Sequence, residues 1–140
     1  MSSSAERWAC DTSVAVPALD PSHLAHEPCR QAVIEHRPAL AGHAAFEAYA
    51  VLTRLPVPFR LTAAQAGSVL ARAFPEPCWL DADASEALRG RLYECGIVGG
   101  SVYDALVGQA ALHHGRILLT RDRRAERTYR ALGVNHELVD

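Results

Sequence analysis

Residues 116–122 read Arg-Ile-Leu-Leu-Thr-Arg-Asp, and residues 116–120 of this stretch are the clearest strand in the chain. The run is short, aliphatic and β-branched, as expected for a strand buried inside a sheet. Gly115, directly before it, suits the residue that follows the end of a helix. An acid, Asp122, comes two residues after the strand. In open α/β sheets, binding sites form beyond the carboxyl ends of the strands, so Asp122 is a candidate site residue.

Outward from this strand, strands and helices alternate along the whole chain. The sequence predicts further strands at 8–10, 38–42, 78–80 and 134–139. It predicts a first helix after residue 11 and others at 23–37, 43–55, 62–74, 84–95, 102–114 and 123–132. Pro28 implies either a break near 26–27 or a helix that begins after it. Such alternation predicts an α/β domain with a central, mostly parallel sheet of about five strands between two helical layers.

Length and composition favour one globular domain. The chain of 140 residues is 49% hydrophobic and shows no repeat or linker, so residues 1–140 are predicted to form a single domain. No apolar run approaches 18 residues, and the first ten residues lack the pattern of a secretion signal. We therefore expect no membrane segment and a cytoplasmic location.

The four cysteines do not form a recognisable site. Cys10, Cys29, Cys78 and Cys95 are 19, 49 and 17 residues apart, without a C-x-x-C pair. This spacing is typical of neither a zinc site nor a disulfide framework. Cys10 and Cys78 fall in predicted strands, where we expect them to pack as small hydrophobic residues.

Positive charge is concentrated near the end of the chain. The net charge is −2, and all fourteen cationic residues are arginines. Five of them lie within residues 121–130, which makes Arg121, Arg123 and Arg124 candidates for contact with phosphate or carboxylate groups. A solvated helix face with locally paired charges explains the same run equally well.

Four acids stand out: Asp11, Glu47, Asp104 and Asp122, hereafter the acidic quartet. Each has an ordinary explanation. Asp11 and Asp122 follow strands and precede helices, where an N-cap is expected. Asp104 and Ser101 fit the pattern of a capping box, and Glu47 fits the solvated face of a helix.

Two members of the quartet have surroundings that argue against these explanations. Glu47 is the only charged residue in 44–52, and Asp104 lies within 102–107, which is otherwise uncharged and mostly apolar. A carboxylate that is partly removed from water requires a partner, or its pKa rises. Neither segment has a basic residue three or four positions away. A divalent cation bound by several oxygen ligands is the simplest common partner.

The motifs together resemble the PIN-domain family. The resemblance lies in Asp-Thr-Ser at 11–13, Glu47 in an alanine-rich helix, Asp104 in Ser-Val-Tyr-Asp-Ala-Leu-Val, and Leu-Leu-Thr-Arg-Asp at 118–122 before a basic helix. Order and spacing suit the family over nearly the whole chain, apart from 53–100, which carries no family motif. The size and the lack of further domains are similar to the VapC-type toxins of bacterial toxin–antitoxin pairs.

The resemblance implies a ribonuclease that cleaves RNA with Mg²⁺ or Mn²⁺ held by the acidic quartet. Thr12, Ser13 and Thr120 stand where hydroxyl groups often support the site. It also implies a cognate VapB-type antitoxin as a protein partner and a homodimer. A catalytically silent PIN-like module that binds RNA or protein is the alternative. A phosphoryl-accepting receiver domain is disfavoured, because it requires a lysine and the chain has none.

Other polar groups and aromatic residues receive simpler interpretations. Asp81 and Asp83 are predicted to be a loop residue and a helix cap, and the histidine pairs at 23/26 and 113/114 lack a third metal ligand nearby. Trp79, Tyr103 and Tyr129 are the few candidates for stacking on RNA bases. Of these, Trp79 is predicted to lie in the core.

Overall fold

The computed structural model describes residues 5–140, and within them the sheet has four strands. These are β1 (Trp8–Cys10), β2 (Ala39–Leu40), β3 (Ile117–Thr120) and β4 (His136–Leu138). The order across the sheet is β2-β1-β3-β4, and every neighbouring pair is parallel. The predicted α/β class and the parallel sheet are therefore confirmed.

The helices cover the connections between these strands, as expected for parallel pairs, which require crossovers. Residues 5–140 form seven of them: α1 (Thr12–Leu19), α2 (His26–His36), α3 (Ala44–Leu52), α4 (Ala63–Ala73), α5 (Ala82–Glu94), α6 (Ser101–His113) and α7 (Glu126–Leu132). None of these helices is long and apolar enough to cross a membrane.

The strand predicted at 78–80 is wrong, so the sheet has one strand fewer than expected. The segment forms no regular secondary structure, and Gly42 donates one backbone hydrogen bond to the carbonyl of Cys78, at 2.8 Å. The carbonyl of Trp79 is instead bonded to the ring of His114 at 2.7 Å. Pro77 lacks the N–H group that a ladder of hydrogen bonds requires. Trp79 is 47% exposed, which corrects its predicted place in the core, whereas Cys78 is buried as predicted.

Two helices begin later than the sequence patterns suggest. α2 begins at His26 rather than at residue 23, and Pro28 lies in its first turn, where a backbone N–H has no partner within the helix. The break therefore precedes the helix. α7 begins at Glu126, and a turn at 123–125 separates it from Asp122. Asp122 is consequently not the N-cap of α7.

The register of β1 and β3 positions the polar residues at the carboxyl end of the sheet. Cys10 pairs with Leu119, and the next backbone N–H, that of Asp11, donates to the carbonyl of Leu119 at 3.2 Å. Cys10 and Leu119 are buried in the core. The parallel register therefore brings Asp11 beside Thr120, although the two are 109 residues apart in sequence.

Candidate active site

Asp11 accepts four hydrogen bonds directly beyond β1. Oδ1 accepts from the backbone N–H and the hydroxyl of Ser13, at 3.0 and 2.5 Å. Oδ2 accepts from the hydroxyls of Thr120 and Tyr129, at 2.5 and 2.8 Å. The first of these four is the predicted helix cap of α1. The other three exceed what capping requires, because a cap needs only the bond from the backbone.

The environment of Asp11 balances burial against these hydrogen bonds. Its side chain is nearly removed from solvent, and this burial raises its pKa. The hydrogen bonds from Ser13, Thr120 and Tyr129 oppose the rise, because they stabilise the anion. Three hydroxyl groups and one backbone N–H thus stabilise the buried carboxylate of Asp11 at the carboxyl end of the sheet.

Asp122 closes a turn just beyond β3. Its backbone N–H donates to the hydroxyl of Thr120 at 3.0 Å, and its Oδ1 accepts from the N–H of Arg124 at 3.0 Å. Thr120 therefore bridges Asp11 and Asp122. Within residues 5–140, Oδ2 of Asp122 accepts no hydrogen bond, so it is available to another ligand.

Glu47 faces the same region from α3. Its Oε1 lies 3.4 Å from the hydroxyl of Thr12, the residue after Asp11. The side chain is half-buried. Glu47 is therefore not an ordinary charge on a solvated helix face.

Asp104 shows most directly that the quartet converges. The predicted capping box is wrong, because α6 has Gly100 as its N-cap and Ser101 as its first helical residue. Burial, and after it the negative charges of Asp122, Asp11 and Glu47, together raise the pKa of Asp104 to about 6. Arg124 opposes the shift. Three acids distant in sequence thus act on one carboxylate.

This donor set fits a hard divalent cation. All four groups are carboxylates, which Mg²⁺ and Mn²⁺ prefer, and a dication would relieve their mutual repulsion. Within residues 5–140, no three acid, histidine or cysteine side chains already surround one point closely enough to hold an ion. The chemistry of the quartet therefore suits a cation, and the side chains would draw together around it.

The predicted supporting hydroxyls lie at the quartet. Thr12 contacts Glu47, and Ser13 and Thr120 both donate to Asp11. Ser13 also accepts a hydrogen bond from the backbone N–H of Arg121 at 2.7 Å. Next to these groups opens a cleft of about 370 Å³, whose lining includes Thr12, Ser13, Arg121 and Asp122.

Tyr129 is the site residue that sequence reasoning missed. It was a candidate for base stacking, but its side chain is only 1% exposed and its hydroxyl contacts Asp11, so that interpretation is wrong. The available signal was the apolar stripe of α7, since Thr128, Tyr129 and Leu132 are its buried residues. Periodicity indicates that this face is turned inward, but not which group it meets.

The arginines lie at the rim of the quartet. The side chain of Arg124 is 96% exposed, with Nε 3.8 Å from Oδ1 of Asp122. Arg123 is exposed and lies 3.5 Å from Asp140. Further along, Arg130 pairs with Glu126 at 3.6 Å, as the solvated-face interpretation predicts for α7 itself. Arg124 and Arg121 therefore lie beside Asp122, whereas the ion-pair partner of Arg123 is Asp140.

The remaining acidic pair is structural. Asp81, rather than Asp83, caps α5 by accepting a hydrogen bond from the N–H of Ala84 at 2.7 Å, so the predicted cap is present but two residues earlier than expected. Asp83 lies in the first turn of that helix and is exposed. These acids do not contribute to the raised pKa of Asp104.

Comparison with known proteins agrees with this geometry. Residues 9–131 match the PIN domain family. The chain is similar to Ribonuclease VapC27 of Mycobacterium tuberculosis (strain ATCC 25618 / H37Rv), with 44% identity over 127 residues, 91% of this chain and 93% of the relative. It is also 42% identical over 130 residues to Ribonuclease VapC40 of Mycobacterium tuberculosis (strain CDC 1551 / Oshkosh), covering 92% of this chain and 96% of that protein.

Proposed function

The chain belongs to the PIN-domain family, and from this premise we propose that it is a metal-dependent ribonuclease of the toxin type. It would cleave RNA phosphodiester bonds and be neutralised by a cognate antitoxin. The observation that carries the proposal is the convergence of the acidic quartet beyond β1 and β3, expressed in the raised pKa of Asp104. We further propose that residues 1–140 function as one nuclease domain in the cytoplasm, where an RNA substrate is present.

In this proposal Asp11, Glu47, Asp104 and Asp122 hold Mg²⁺ or Mn²⁺. The bound ion would supply an activated water and would offset the negative charge that develops on the scissile phosphate. Asp104 and Glu47, on α6 and α3, approach from the helices, while Asp11 and Asp122 approach from the strand ends. Ser13 and Thr120 keep the carboxylate of Asp11 oriented and anionic, and Thr12 orients Glu47.

The RNA backbone would pass along the rim arginines. Arg124 is exposed and close to Asp122, so its guanidinium can meet a phosphate next to the acids. Arg123 and Arg121 extend the positive rim. Without these charges the quartet would repel RNA, because both carry negative charge.

Two protein partners belong to the same proposal. A VapB-type antitoxin with a basic side chain directed at the quartet would occupy the position of the metal and block cleavage. A homodimer would cover the exposed aromatic surface formed by Phe46, Trp79 and Tyr103, which are 64%, 47% and 53% exposed. The rings of Phe46 and Trp79 are 5.6 Å apart and Tyr103 stacks on His43, so the surface is continuous rather than a set of single exposed residues.

One observation favours the alternative of a catalytically silent module that binds RNA or protein. All four acceptor positions of Asp11 are already occupied by hydrogen bonds, so an ion must displace one donor to reach it. A silent module would retain these bonds and leave RNA intact with any divalent ion.

The deciding experiment is cleavage of a mixture of transfer, ribosomal and messenger RNA by the purified chain. We expect cleavage with Mg²⁺ or Mn²⁺, its loss with EDTA, and a loss of at least about 100-fold for Asp104→Asn. Asp83→Asn is the matched control, because it removes an exposed carboxylate from the first turn of another helix. Circular dichroism verifies that both variants fold. An unchanged rate in folded Asp104→Asn, or cleavage that survives EDTA, would contradict the proposal.

A further inference from the structure

We propose that Tyr129 is a positioning residue, which holds Oδ2 of Asp11 from inside the fold so that Oδ1 is the oxygen offered to the metal. The inference rests on the proposed function and extends it to a residue on α7 that touches neither RNA nor the cleft.

The inner oxygen of Asp11, Oδ2, accepts hydrogen bonds from two buried donors. Oδ2 accepts from Tyr129 at 2.8 Å and from Thr120 at 2.5 Å, which uses both of its lone pairs. The two donors are 1% and 0% exposed, and they belong to α7 and β3. Releasing Tyr129 would leave its buried hydroxyl without a hydrogen-bond partner among the described residues.

The outer oxygen, Oδ1, accepts a hydrogen bond from the hydroxyl of Ser13, which has another acceptor nearby. Oδ1 accepts from the hydroxyl of Ser13, which lines the cleft and is only half-buried. That hydroxyl already accepts from the N–H of Arg121 at 2.7 Å and lies 3.4 Å from the hydroxyl of Thr120. Rotation about one side-chain bond therefore frees one acceptor position of Oδ1 without leaving the hydroxyl of Ser13 unsatisfied, while the backbone N–H of Ser13 stays bonded to Oδ1. Oδ1 is thus bonded to a residue that lines the cleft, whereas neither side-chain donor of Oδ2 does so.

The ring of Tyr129 is fixed in place by its neighbours, which is what positioning requires. A Cβ added at Gly108 on α6 would lie 2.8 Å from Cδ1 and 3.2 Å from Cε1 of the ring. The ring thus fills the space that this glycine leaves. On another side, the ring of His136 lies 5.7 Å away and is itself bonded to Glu126 at 3.0 Å.

The competing explanation is that Tyr129 only fills the core and happens to have a satisfied hydroxyl. In either case the phenol acts as a donor, because the carboxylate oxygen 2.8 Å away can only accept its hydrogen bond. A purely structural role would make its removal costly for stability alone. A positioning role would also weaken metal binding, because outer hydrogen bonds orient a metal ligand.

The test is Tyr129→Phe, which removes the hydroxyl and keeps the ring. Calorimetric titration with Mn²⁺ in the absence of RNA is expected to show a dissociation constant about 10-fold higher. In RNA cleavage, kcat should fall about 10-fold while KM for RNA stays within about 2-fold, since Tyr129 lies away from the cleft. Leu132→Val is the matched control: it lowers stability through the same helix, where Leu132 is 2% exposed, without touching Asp11.

A second variant keeps the proposal testable if Tyr129→Phe does not fold. Gly108→Ala retains the hydroxyl but displaces the ring, and the same rise in the Mn²⁺ dissociation constant is expected, at about 3-fold. Wild-type Mn²⁺ affinity and kcat in folded Tyr129→Phe, measured well below its melting temperature, would overturn the proposal. That result would leave the ribonuclease proposal intact, because EDTA and Asp104→Asn test it separately.

Discussion

The two ends of β3 both bury charge, and they do so in opposite ways. Before the strand, Arg116 is an interior cation whose side chain is only 2% exposed. After it, Thr120 and Asp122 adjoin a group of carboxylates. The same four-residue strand, Ile117–Thr120, therefore separates a positive end from a negative one.

The charge at the amino end has partners within the protein. Arg116 donates to the carbonyl of Trp8 at 2.9 Å and to Oε1 of Glu76 at 3.1 Å. Only its Nε lacks a partner among the described residues. A buried cation with a carboxylate and a carbonyl beside it is a closed arrangement that supports the fold.

The charge at the carboxyl end is not balanced in this way. The charges of three other carboxylates raise the pKa of Asp104 there, and the cation that opposes this shift is Arg124, whose side chain is 96% exposed. The difference between the ends distinguishes structure from function: balanced buried charge holds elements together, whereas unbalanced buried charge requires a ligand.

The largest expected effect on stability is at the amino end. Glu76→Ala leaves the guanidinium of Arg116 buried with one partner fewer, so we expect a loss of about 2 kcal/mol in the free energy of unfolding. This is below the usual cost of breaking a buried pair, because Glu76 itself is 57% exposed. Urea unfolding measures it. Glu86→Ala breaks an exposed pair of similar length, 3.0 Å, and should change stability by less than about 0.5 kcal/mol. Equal losses of unfolding free energy in the two variants would show that the buried pair contributes no more to stability than the exposed one.

A smaller effect of opposite sign is expected at the carboxyl end. The pKa of Asp104 is about 6 in the folded protein, against 3.8 as its ordinary value. The folded state therefore binds more protons between these values, and stability falls as pH rises through them. Asp104→Asn removes this penalty. In EDTA it should be more stable by about 1 kcal/mol at pH 7.5, after allowance for solvent screening, and no more stable at pH 4.

Unfolding midpoints at the two pH values check this prediction. A variant that is destabilised at pH 7.5 would mean that the negative charge of Asp104 is already balanced within the protein, as the charge of Arg116 is. In that case the charge at the carboxyl end of β3 would not require an external ligand.

The smallest effect is expected at the rim. Arg124→Ala should weaken RNA binding about 2- to 3-fold at low salt and reduce the slope of log affinity against log salt by about one. The measurement uses the Asp104→Asn background, so that RNA stays intact. Arg89→Ala, on α5 beside Glu86, is the control for loss of an exposed positive charge. The same slope in both variants would exclude Arg124 from the RNA path.

Much of the fold was predictable because its signals are local. The aliphatic run at 117–120, the helix-ending Gly115 and the alternation of strands with helices predict the parallel sheet from neighbouring residues alone. The quartet was also visible, because Glu47 and Asp104 are isolated charges in apolar segments. The error at 78–80 has a physical cause: an apolar, extended segment becomes a strand only if its backbone finds a partner, and Pro77 hinders that pairing.

The sequence by itself determined the order of elements and the candidate acids, since both follow from residue type and short-range spacing. The tertiary structure alone decided which oxygen of Asp11 meets which donor, and that Tyr129, 118 residues away, is one of them. It also decided that Arg116 has a carboxylate partner, whereas Asp104 has three other acids near enough to raise its pKa. These facts depend on strand register and helix packing, which join residues that no local pattern connects.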